Sequence, residues 1–154
     1  MPNLRLFDLS GRTALVTGGN GGLGRAIALA FAGAGASVAI LGRNAEKNEK
    51  ALAELKKLGA RAIAIEADIT ERAQVEPSVA RAERELGPVD ILVNSIAPGT
   101  IQFPGEPPDE DYIRQVPLHR TGTGDDIADA ALYLATAEFV TGQILAVDGG
   151  RLLV

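Results

Sequence analysis

The chain has 154 residues, 46% hydrophobic and 23% charged, with a net charge of −5, which describes one domain with a real core. The acidic balance argues against nucleic acid as a partner, and no apolar stretch of membrane length points to a bilayer. Zero cysteines exclude disulfides and thiolate metal sites, one histidine (His119) makes a metal site unexpected, and the N-terminus lacks a signal-peptide pattern, so a cytoplasmic location is expected.

Residues 1–12 form a polar lead-in with a turn at Ser10 and Gly11, feeding a predicted strand at 13–17. That short apolar run stops at a cluster of glycines, Thr-Gly-Gly-Asn-Gly-Gly-Leu-Gly at 17–24, and a helical pattern begins at Leu23. Strand, glycine turn and helix together are the context in which glycines mean phosphate binding. They let the chain turn sharply and let an anion approach without a Cβ in the way. The helix then offers its unpaired N–H groups and positive dipole end. The alternative is a plain glycine-rich turn.

The first helix carries Leu23, Ala26, Ile27, Ala30, Phe31 and Ala34 at helical spacing and ends at Gly35. A second strand follows at 37–41. Asn44 can cap a helix running to Leu58, with Leu52, Leu55 and Leu58 inward, and Gly59 stops it. A third strand spans 61–66, and Thr70 is a candidate cap for a third helix. Pro77 should bend that helix or delay its start, and Gly87-Pro88 closes it. Strict alternation of this kind predicts an α/β fold with a parallel, doubly wound sheet. A fourth strand begins at Val89. After an acidic, proline-rich loop at 104–111, a last helix is predicted at 124–136. Its capping-box spacing runs from Thr123 to Asp126, and Ile127, Ala130, Ala131 and Leu134 form its buried stripe.

Thr17, Gly18, Gly22 and Gly24 fit T-G-x-x-x-G-x-G, which resembles the cofactor fingerprint of the short-chain dehydrogenase/reductase family. Val93-Asn94-Ser95-Ile96-Ala97-Pro98-Gly99 resembles the family's penultimate strand and its Pro-Gly turn. Residues 141–150 resemble its final strand. The likeness is to a member whose middle has been cut out, with 1–93 fused to 94–154 in a single Rossmann domain. It implies about five parallel strands in the order 3-2-1-4-5, helices on both faces, and a bound dinucleotide. Helices one and two should share a face, with the third opposite.

On that resemblance Gly18, Asn20, Gly22, Leu23 and Gly24 form the pyrophosphate site. The second strand ends in Leu41-Gly42-Arg43-Asn44, with no acid for a ribose 2′-hydroxyl. Arg43 suits a 2′-phosphate, so NADP is expected ahead of NAD; a solvated loop arginine is the alternative. Asp68 and Ile69 match the position that meets the adenine, although Asp68 can equally cap the third helix. Asn94 matches both the strand-four asparagine and the opening of the penultimate strand.

The family's tyrosine with lysine four positions later is missing. Tyr112 is followed by Val116 and Tyr133 by Ala137, while all four lysines (Lys47, Lys50, Lys56 and Lys57) lie on the second helix. Ser95 reads only as a strand residue, and a Tyr112–His119 pair is the one substitute acid/base. No catalytic residue is assigned, and binding without turnover is expected. A residual carbonyl oxidoreductase and an interaction protein with a vestigial loop are the alternatives. Loss of the middle should expose apolar surface, so a homodimer or higher oligomer is expected.

Overall fold

A computed structural model describes residues 7–94 and 96–153. Its elements follow the predicted alternation: β1 (Thr13–Thr17), α1 (Gly22–Gly33), β2 (Ser37–Gly42), α2 (Ala45–Lys57), β3 (Ala62–Glu66), α3 (Arg72–Leu86) and β4 (Ile91–Val93). A short α4 (Glu110–Gln115) and α5 (Gly124–Thr136) complete it, with a final 3-10 turn at Arg151–Leu153. All pairings within the sheet are parallel, in the order β3-β2-β1-β4.

The strands alternate between two apolar layers, as a sheet covered on both faces requires. Ala14, Val16, Val38 and Ile40 meet Ile27 and Phe31 of α1, Ala51 and Leu55 of α2, and Ile127 and Ala128 of α5. Leu15, Ala39, Leu41 and Ile65 meet Ala82 and Leu86 of α3 on the other side. Helices α1 and α2 therefore share one face and α3 takes the opposite one, as the right-handed crossovers demand. Helix α5 joins the α1 face.

Several local expectations hold. Asn44 caps α2 by accepting from Lys47 N–H at 2.9 Å. Thr123 and Asp126 form a reciprocal capping box at α5. Others need correction. Among the described residues the sheet has four strands, and residues 141–150 do not form a fifth. Gly99 N–H reaches Val147 O at 3.2 Å, but Pro98 offers no N–H, and Gly142, Gly149 and Gly150 take positive φ. A ladder cannot continue through that backbone.

The fourth strand, expected to begin at Val89, is limited to β4, three residues long, and Ser95 lies outside the described residues. Thr70 is not the cap of α3, whose N-cap is Glu71 with no side-chain bond. Instead the Thr70 amide and hydroxyl both donate to Asp68 Oδ1. Nor does Pro77 delay α3, which starts at Arg72 and runs through it. In α5, Ile127 and Ala128 are buried while Leu134 is exposed, so the buried stripe is rotated from the predicted one.

Candidate functional site

In a doubly wound sheet, ligands bind beyond the carboxyl ends of the strands, where the strand order reverses. Here that point lies between β1 and β4. The turn at 18–21 leaves β1 there and enters α1, whose N-cap is Gly21. No side chain caps that end, and no acid sits in the first turn. The orphan N–H groups of an α-helix and its positive end are thus left for something outside the helix.

The glycines are required by the geometry. Gly18 sits at φ +66° and Gly22 at φ +50°, a region that side chains rarely adopt. A Cβ on Gly24 would collide with Gly18 O, so the helix could not close on the turn. Leu23 packs against the α1-side core.

Asn20 is tied down rather than aimed outward. Its side-chain N–H donates to Asn48 Oδ1 at 2.7 Å, and Asn48 in turn donates to Gly42 O at 2.9 Å. Asn48 was not singled out from the sequence. The signal was available: it lies four and seven residues before Leu52 and Leu55, on the inner face of α2.

Arg43 stands past the end of β2, its side chain 78% exposed, with Nη1 3.7 Å from Asp68 Oδ2. The Thr70 amide and hydroxyl hold the Asp68 carboxyl below its ordinary range, with Arg43 adding to the effect. Ile69 is exposed beside it. Asn44 uses its side-chain oxygen on the α2 cap. At the other side of the switch point, Thr17 Oγ1 lies 3.0 Å from Asn94 O, 3.2 Å from Val93 O and 3.3 Å from Asn94 Oδ1. Asn94 and Thr17 therefore clasp the ends of β4 and β1. Gly18, Gly22, Gly24, Arg43, Asp68 and Asn94 all end at one edge of the sheet.

The candidate acid/base pair does not assemble. Tyr112 donates its hydroxyl proton to Asp148 O at 2.6 Å. His119 has its Nδ1 3.3 Å from Ile113 O and a strained φ of +50°. Each ring engages a different main-chain carbonyl. Among the described residues no group of three or more His, Asp or Glu is placed to hold a metal, and no helix is long and apolar enough to cross a membrane.

The sequence pattern described as short chain dehydrogenase matches residues 12–117. The chain belongs to the short-chain dehydrogenase family. A second pattern, enoyl-(acyl carrier protein) reductase, matches residues 103–151. The 2,3-dihydro-2,3-dihydroxybenzoate dehydrogenase of Bacillus subtilis is 35% identical over 82% of this chain and 48% of its own length. The hydroxynaphthalene reductase-like protein Arp2 of Metarhizium brunneum is 34% identical over 95% of this chain and 51% of its own. The chain thus spans about half the length of these curated relatives. Among solved structures, hydroxysteroid dehydrogenase from Escherichia coli aligns with a TM-score of 0.88 at 26% identity, over 95% of this chain and 98% of that one. A 7 alpha-hydroxysteroid dehydrogenase complexed with NADH and 7-oxo glycochenodeoxycholic acid aligns with a TM-score of 0.90 at 25% identity, over 97% and 98%.

Proposed function

We propose that this chain is an NADP(H)-binding domain of short-chain dehydrogenase descent that does not turn over substrate. The observation that carries the reading is the uncapped first turn of α1 behind Gly18 and Gly22, packed against the turn at Gly24 where no Cβ fits. Those donors suit a pyrophosphate, with Leu23 and the Asn20–Asn48 bond holding the turn in shape. Arg43, beside Asn44 and with no acid at the end of β2, suits a 2′-phosphate; NAD is the alternative ligand. Asp68 and Ile69 lie where an adenine would rest, and Asn94 borders the site from β4.

Bound NADPH would supply a hydride, but this chain lacks the means to direct it. A lysine four residues after a tyrosine is missing from the sequence, and the Tyr112 proton is engaged by Asp148 O. The family's middle segment is absent in this reading, with residues 1–93 joined directly to 94–154. The chain spans only about half the length of the curated relatives it matches, which supports a shortened member. We place the domain in the cytoplasm, as a homodimer or larger oligomer. Calorimetry with NADPH and NADH tests the central claim: heat of binding for NADPH is expected, and heat from neither dinucleotide overturns it.

A further inference from the structure

The ring of Phe103 lies over Gly22. Its Cε1 and Cζ both stand 3.8 Å from the point where a Gly22 side chain would begin. The ring is fixed from its base. Glu106 N–H donates to Phe103 O at 3.1 Å across Pro104 and Gly105, and Gly105 has φ +90°. Proline and glycine thus occupy the two central positions that a type II turn favours. The Glu106 carboxylate accepts from Phe103 N–H at 3.0 Å. Gln102 donates to Glu106 O and accepts from Thr121 Oγ1, both at 2.9 Å, while its own N–H meets Gly122 O at 2.9 Å. With the main chain held on both sides, side-chain torsion is the freedom left to the ring.

The space beside such a glycine is what lets a pyrophosphate approach the backbone. Here an aromatic ring lines it, and phenylalanine carries no group that accepts hydrogen bonds as a phosphate oxygen does. The ring therefore cannot answer the N–H groups of the first turn of α1, and it stands beside Gly22, where that turn begins. We propose that Phe103 is a gate on the pyrophosphate site, resting over Gly22 in the free protein and rotating away before a dinucleotide can seat. This rests on the dinucleotide reading above. Such a gate lowers apparent affinity by the fraction of molecules with the ring turned out. It acts on the pyrophosphate and not on the 2′-phosphate, which lies at Arg43.

Stopped-flow and equilibrium binding of 2′-phospho-ADP-ribose, beside adenosine 2′-monophosphate, test the gate. Phe103→Ala is expected to speed association and tighten 2′-phospho-ADP-ribose by about five- to tenfold, leaving the monophosphate unchanged. Thr121→Val, which removes one of the three bonds that hold Gln102, should shift binding in the same direction by less. Phe103→Ala binding with unchanged or lower affinity, or gaining equally for both ligands, overturns the gate alone. Failure of both ligands to bind any of the three proteins overturns the dinucleotide reading and the gate together.

Discussion

The Asn20 side chain donates to Asn48 Oδ1 at 2.7 Å, and through it the glycine turn is fastened to α2 and to the end of β2. Asn48 is 3% exposed. Replacing it with alanine leaves Gly42 O and the Asn20 amide without their partner, and an unsatisfied buried polar group costs roughly 1–3 kcal/mol. Asn48→Ala should lower the urea midpoint accordingly and loosen the turn, weakening NADPH binding as well. A variant with unchanged stability would show that the bond only decorates the loop.

Arg43 is expected to set cofactor preference. Its ion pair with Asp68 is long and exposed, and pairs of that kind contribute little, so a phosphate displaces Asp68 at small cost. A charge-assisted contact gains roughly 1.5–3 kcal/mol, or about one to two decades in affinity. NADPH should bind tighter than NADH by that factor, and Arg43→Ala should erase most of the difference. If the variant keeps the full preference by calorimetry, the 2′-phosphate lies elsewhere.

Acid should act on α5 through Asp126. Arg120 grips both its carboxylate oxygens, at 2.6 and 2.8 Å, and Thr123 adds its amide and hydroxyl. The Arg120 bond, with those of Thr123, holds the Asp126 carboxyl far below the usual carboxylate range. A depressed folded value stabilises the protein above the unfolded value of about 3.9, and that contribution is lost as pH falls below it. Asp126→Asn should cost up to about 1 kcal/mol at pH 7 and flatten the decline in stability below about pH 4. Urea midpoints across that range decide it; parallel curves for the two proteins would count against the assignment.

How much of this could be read in the sequence changes along the chain. Up to Leu86 each strand has a close neighbour and each helix a cap or a terminal glycine, so local signals and tertiary outcome agree except at Thr70 and Pro77. Asn44 and Thr123 are legible because a cap is a local bond. Beyond Val93 the sequence pattern belongs to strands whose neighbours are elsewhere. Residues 144–147 have strand composition, yet they pair with no strand among the described residues, and Ile144 is fully exposed. Asn48 and Phe103 escaped for a different reason. Periodicity puts Asn48 on the inner face of α2, but it does not encode the contacts, across 28 and 81 positions, that make the two residues important.

The same open edge bears on assembly. Leu92 is in register with Leu15, on the sheet face that α3 covers, yet it is 62% exposed because α3 does not extend over β4. Phe139 and Ile144 are fully exposed as well. Apolar surface of this kind favours association. Light scattering at micromolar concentration should report a dimer or larger species, and Leu92→Glu should shift it toward monomer. A clean monomer mass for the parent chain would refute the expectation.

Binding should survive where turnover does not. The groups proposed for the pyrophosphate and adenosine, Gly18 to Gly24 with Arg43 and Asp68, sit on elements packed against the main core. The turn at Pro98 and Gly99, which in the family resemblance borders the nicotinamide, is held by Val147 O and lies against Tyr112 Oη. Hydride transfer needs reacting atoms within roughly 3–3.5 Å, and a poorly fixed ring can cost about a hundredfold. Lack of a tuned acid/base costs roughly 10²–10⁴ more, and Tyr112, engaged by Asp148 O, is not placed to supply one. The two losses together should bring activity to background. NADPH oxidation with a panel of aldehydes, ketones and pterins should match a Gly22→Val control, while 2′-phospho-ADP-ribose and NADPH bind with similar affinity. Steady oxidation well above that control, abolished by Tyr112→Phe, would instead establish an enzyme built on residues foreign to the family pattern.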